Sequence, residues 1–144
     1  MTRATTPHID TFQVLNAIPH PVVVVDGEGY FSFANSDAEQ FFSAGASYLS
    51  RRRLADFVPG DSPLFMLIDQ VRAQGSRISE YRVDLSSPRL GGERLVDLYV
   101  SAIPDSKGLV VVMIQLRSIA DKMDRSWIIT VSYTHLRAHE TPEH

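Results

Sequence analysis

Apolar residues recur along this chain in two rhythms, one helical and one strand-like, and their order outlines a fold. After Asp10 and Thr11, both suited to capping a helix, Phe12, Val14, Leu15 and Ile18 follow at near-helical spacing. Pro19 and Pro21 stop that short amphipathic helix. Val22 to Val25 is wholly β-branched and predicts a buried strand. Asp26-Gly27-Glu28-Gly29 is a turn, and Tyr30 to Ala34 reads as the returning strand of a hairpin. Asn35 to Phe42 predicts a short helix with Ala38, Phe41 and Phe42 on its apolar side, and Ser43 to Ser50 reads as irregular.

Leu54, Phe57 and Val58 predict a helical turn tucked into the core. Asp61 and Ser62 can cap the next helix, with Pro63 at its first position and Gly75 as its stop. Between them Leu64, Leu67, Ile68 and Val71 are spaced by three and four. Three strands follow: Ile78 to Leu85, Leu95 to Ile103 and Leu109 to Leu116. Strict alternation in the first would put Ile78, Glu80, Arg82 and Asp84 on one face and Ser79, Tyr81, Val83 and Leu85 on the other. Pro88 to Gly92 reads as a loop and Pro104 to Gly108 as a turn. Ile119 to Arg125 has helical composition, and residues 127–144 change character altogether.

Two strands, a helical block and three strands predict an α+β domain: about five antiparallel strands with helices over one face. Composition agrees, because 144 residues with 44% apolar and 22% charged side chains suit one folded domain. The net charge of -3 gives no basic excess to attract nucleic acid or an anionic membrane. No apolar run approaches the ~20 residues of a membrane span, and no targeting segment is visible, so a soluble chain is expected, and the lack of cysteine fits a cytoplasmic location. The absence of cysteine removes disulfides, cysteine-ligated metals, thiol nucleophiles and any cysteinyl-flavin photochemistry.

The hairpin segment from Val22 through Asp26-Gly27-Glu28-Gly29 to Asn35 resembles the opening of a PAS domain, and the whole order of elements matches the PAS fold. Arg117-Ser-Ile-Ala-Asp-Lys122 is similar to the PAS exit, where an Asp-containing turn leads into a signalling helix, although Asp121 departs from the commoner placement. Arg53-Leu-Ala-Asp56 with Ser62-Pro63-Leu64, Glu80 to Leu85, and Pro88 to Asp97 resemble the sensor domains of the NtrB family of nitrogen-regulation histidine kinases. The resemblance spans residues 10–125.

It divides the chain into a flexible lead-in at 1–9, a PAS domain at 10–117, the start of a signalling helix at 118–126, and a disordered or non-native tail at 127–144. It implies a homodimer, with Phe12 and Leu15 as the interface candidates, and a signalling exit at Ile119, Asp121 and Met123. In that family a response regulator and a PII-type signal protein are the partners. The chain itself is then a regulatory module and not an enzyme, with no catalytic residue, no metal and no cofactor expected. A ligand-sensing PAS domain of another signalling protein is the alternative, with no binding residues assigned. A core filled by Phe41, Phe57, Leu67 and Met113 would speak against it.

Each remaining chemical signal has a plainer reading. Asn35 is first a helix N-cap. Arg82 and Arg94 are first partners for Glu80, Asp84, Glu93 or Asp97 on an exposed face, and Arg51-Arg52-Arg53 is first a solvated loop. No histidine lies between His20 and His135, which removes a helix-borne haem ligand. Trp127, the sole redox-capable tryptophan, falls outside the domain, so flavin photochemistry is not expected. His139-Glu140-Thr141-Pro142 resembles a phosphoacceptor motif, but its proline comes two residues too early, and no room follows for an ATP-binding domain.

Overall fold

The computed structural model describes residues 8–87, 89–90 and 94–117. Its elements are α1 (Thr11–Ala17), β1 (Val22–Val25), β2 (Phe31–Ala34), α2 (Ser36–Phe42), α3 (Ala46–Leu49), a 3-10 turn at Leu54–Asp56, α4 (Pro63–Gln74), β3 (Ile78–Asp84), β4 (Leu95–Ala102) and β5 (Val110–Leu116). The five strands form one antiparallel sheet in the order β2-β1-β5-β4-β3. The predicted α+β architecture is therefore present. Ile119, Asp121 and Met123 of the expected signalling exit lie outside the described residues, as does the tail at 127–144.

Strand alternation gives the sheet two different faces. Val23, Val25, Val96, Leu98, Val100, Val110, Val112 and Ile114 point inward and are buried. Helices α2 and α4 and the 3-10 turn cover them with Phe41, Phe42, Leu54, Phe57, Leu64, Leu67, Ile68 and Val71. Phe31, Phe42 and Phe57 meet edge to face at centroid distances of 5.3 to 5.8 Å, an arrangement that favours the ring quadrupoles. Phe41 joins them against Phe42 at 5.0 Å. Each such buried side chain contributes about 1.5–3 kcal/mol.

The local signals act as their chemistry requires. Asp26 Oδ1 accepts from the N–H groups of Glu28 and Tyr30, both at 2.9 Å, which closes the first hairpin. Ser62 accepts from Leu64 N–H at the start of α4, behind Pro63. Gly75 ends α4 with φ at 71°, the left-handed conformation that a side chain disfavours. Arg72 of α4 donates to the carbonyls of Asp26 and Gly108, so one helix ties together two hairpin turns.

Several details differ from the sequence expectation. The segment from Ser43 to Ser50 contains α3. A bulge between Glu80 and Val83 breaks the alternation of β3, and Arg82 there takes φ at 59°. The extra residue puts Val83, opposite buried Val96, on the same inward side as Ile78, opposite Val100. Met113 does not fill the core: it pairs with Tyr99 and Val22, on the face away from α4. Arg94 lies over the Phe41 ring at 4.9 Å, and Arg82 meets Asp97 through its backbone N–H at 2.9 Å and not through its guanidinium.

Ser43 ends α2 with φ at 53° and ψ at 43°, a conformation that costs a non-glycine residue on the order of 1 kcal/mol. Ser43→Gly is expected to raise stability by about 0.5 kcal/mol after its own entropy cost, read as a higher urea midpoint at unchanged slope.

Candidate interaction surface and chain exit

Helix α1 lies outside the sheet's core face, and sequence explains its form. Asp10 caps it by accepting from Phe12 N–H at 2.9 Å. None of its residues is buried, so packing alone does not hold it. Phe12 is 62% exposed and touches the fold through Phe33 of β2, ring to ring at 5.6 Å. Leu15 is half-buried, Val14 is exposed, and Ile9 just before the helix is exposed as well.

What fixes α1 is a polar hub at Asn35. This side chain is fully buried and uses its entire hydrogen-bonding capacity. Its Oδ1 accepts from Val22 N–H and Ala38 N–H, both at 2.9 Å. Its Nδ2 donates to the carbonyls of Leu15 at 2.8 Å and His20 at 3.0 Å. The expected cap of α2 is present, and the same amide also joins the end of α1 and the start of β1. Asn16 adds a second tie by accepting from the backbone N–H of Ser36 at 2.9 Å and its hydroxyl at 3.2 Å.

Beside α1, the outward face of the sheet carries Val24, Phe33, Val111 and Met113 among its side chains, with Tyr99 and Gln115 toward the far strands. Tyr99 donates its hydroxyl hydrogen to Gln115 Oε1 at 3.0 Å, and Tyr81 stands against it at 6.2 Å. These groups are half-buried or exposed, an apolar strip with a polar margin.

The chain leaves the sheet at Arg117, where a second polar knot sits. Asp97, 6% exposed on the outward face of β4, receives Arg117 in a two-pronged bond: Nε to Oδ1 at 3.0 Å and Nη2 to Oδ2 at 3.1 Å. The same Oδ1 accepts from the backbone N–H of Arg82 at 2.9 Å, at the β3 bulge. Arg117 N–H also donates to the Leu95 carbonyl at 3.1 Å. One carboxylate thus links the edge strand, a neighbouring strand and the point of exit. Sequence reasoning offered Asp97 only as a surface partner for Arg82 or Arg94. Its side-chain partner is Arg117, 20 residues away and beyond any local spacing rule, while Arg82 reaches it only through the backbone N–H.

Among the described residues no helix is long and apolar enough to cross a membrane, and no group of three metal-ligating side chains comes together. The family model described as the PAS fold matches residues 10–119. The chain belongs to the PAS family. It is 54% identical over 112 residues to the sensory histidine kinase/phosphatase NtrB of Rhizobium meliloti, covering 78% of this chain and 29% of that protein. It is 36% identical over 124 residues to NtrB of Azospirillum brasilense, covering 86% of this chain and 31% of that protein. The chain therefore spans about a third of the length of these relatives. Among solved structures, the PAS domain of nitrogen regulation protein NR(II) from Vibrio parahaemolyticus superposes with a TM-score of 0.62 at 20% identity. That match covers 78% of this chain and all of the other.

Proposed function

We propose that this PAS domain is the dimerising and signal-transmitting module of an NtrB-like sensor histidine kinase of nitrogen regulation. The observation that carries the reading is α1: an amphipathic helix with no buried residue, held by hydrogen bonds beside an apolar strip. A second copy of the chain would cover Phe12, Leu15 and the adjoining outward face. Such burial returns roughly 25 cal/mol for each Å2 of apolar surface removed from water. A change in how the two copies of α1 pack would reach the chain exit through the sheet and Asp97. It would there bias the helix expected at 118–126, through Ile119, Asp121 and Met123. A signal moves this equilibrium only if it interacts differently with the two packings.

In the longer parent, the partners of this reading are a kinase core, a response regulator and a PII-type signal protein, all in the cytoplasm. The rival reading, a PAS domain sensing a metabolite between sheet and helices, has less support. Phe31, Phe41, Phe42 and Phe57 already occupy that space and are each at most 3% exposed.

The test exploits the absence of native cysteine. Phe12→Cys introduces a single thiol on the exposed side of α1. Mild oxidation is expected to convert most of the protein to a covalent dimer at micromolar concentration. Glu28→Cys, in the exposed hairpin turn, is expected to cross-link several-fold more slowly. Equal rates at both positions would rule out an interface built on α1.

A further inference from the structure

A cleft of about 420 Å3 opens between the end of α2 and α3, away from both polar knots described above. Its volume falls within the roughly 300–1,000 Å3 of small-molecule sites. Phe42 and Ala44 supply apolar lining, while Ser43, Tyr48 and Arg89 supply polar groups. Those polar groups are arranged to donate. Arg89 can only donate, and its Nη2 bonds Tyr48 Oη at 2.9 Å. That bond uses a lone pair of Oη and leaves the Tyr48 hydroxyl hydrogen to point elsewhere.

Charge is concentrated at the same place. The Arg89 guanidinium lies 5.8 Å from the Tyr48 ring centroid and 4.4 Å from that of Phe57. The Arg52 guanidinium lies 4.6 Å from the same Tyr48 ring. Neither arginine meets a carboxylate among the described residues. Glu39, beside Gly45, has its carboxylate engaged by Ala46 N–H at 2.6 Å. Two cations gathered on one ring, with no ion pair to either among the described residues, outweigh the single Glu39 carboxylate at the rim and favour an anion there.

We propose that this cleft binds a small organic anion, with its carboxylate or phosphate oxygens on Arg89 and the Tyr48 hydroxyl and its apolar body against Ala44, over a floor closed by the buried Phe42. Arg52 contributes through charge. Benzoate and inorganic phosphate are the probes, titrated separately against chloride at constant ionic strength. The backbone amide signal of Gly45, which lines the cleft, is the readout.

Benzoate is expected to give a saturating shift, weakened about tenfold by Arg89→Lys, which keeps the charge but loses the planar fork. Arg77→Lys, at an exposed arginine that does not line the cleft, is expected to leave binding unchanged. Phosphate is expected to saturate the same signal about threefold more weakly, because it has no apolar body. Equal affinity for the two probes would overturn the apolar half of the proposal. A shift that never saturates, or one that persists unchanged in Arg89→Lys, would overturn all of it. Arg89 is exposed, so these variants keep the fold.

Discussion

Asn35→Ala is expected to destabilise the domain by about 3 kcal/mol, one of the two largest single-residue effects here. The substitution removes the cap of α2, worth ~1 kcal/mol. It also strands Val22 N–H, which is buried at the start of β1, at a cost of ~1–3 kcal/mol. The carbonyls of Leu15 and His20 lose their donor but can turn to water as α1 comes loose. Urea unfolding checks this, with a loss of about 1 kcal/mol or less indicating that the hub is not what joins α1, α2 and β1.

Asp97→Ala is expected to cost about 2–3 kcal/mol, toward the lower side of values for breaking a buried pair. The discount reflects Arg117, whose side chain is 19% exposed and can swing into solvent once unpaired. Arg82 N–H at the bulge loses its acceptor at the same time. Asp97→Asn separates the two roles. An amide oxygen still accepts from Arg82, while the charged grip on Arg117 is gone. About half the loss is expected in this variant, with faster hydrogen exchange at the Arg117 amide and unchanged exchange in β3. Equal losses in the two variants would place the whole effect in the ion pair.

Elements governed by local chemistry were legible in the sequence. The hairpin followed from Asp26-Gly27, α4 from its Ser62-Pro63 start and Gly75 stop, and α1 from its spacing and its prolines. The misreadings fall where local pattern carries no information. β5 is apolar from Val110 through Ile114, so that run has no alternation to say that Val112 faces the core and Met113 does not. One extra residue in β3 reverses the parity of everything beyond it, and neither Arg82 nor its neighbours advertise a bulge.

The two polar knots show the same limit. Asn35 was readable as a cap because a cap partner lies three residues on. Its bonds to Val22, Leu15 and His20 span 13 to 20 residues and exist only once the sheet has formed. Phe12 and Leu15 were readable as an apolar stripe, whereas the outward strip beside them required strand register to assemble.

The most direct test of the account is native mass spectrometry of the protein beside its Asn35→Asp variant. Aspartate keeps the oxygen that accepts from Val22 and Ala38 but sets a second oxygen against the carbonyls of Leu15 and His20. It should therefore release α1 while preserving the cap of α2. The unaltered protein is predicted at twice its 16.1 kDa mass and the variant at the monomer mass, both folded. A monomer in both samples, or a dimer that persists in the variant, would contradict the claim that docked α1 builds the interface.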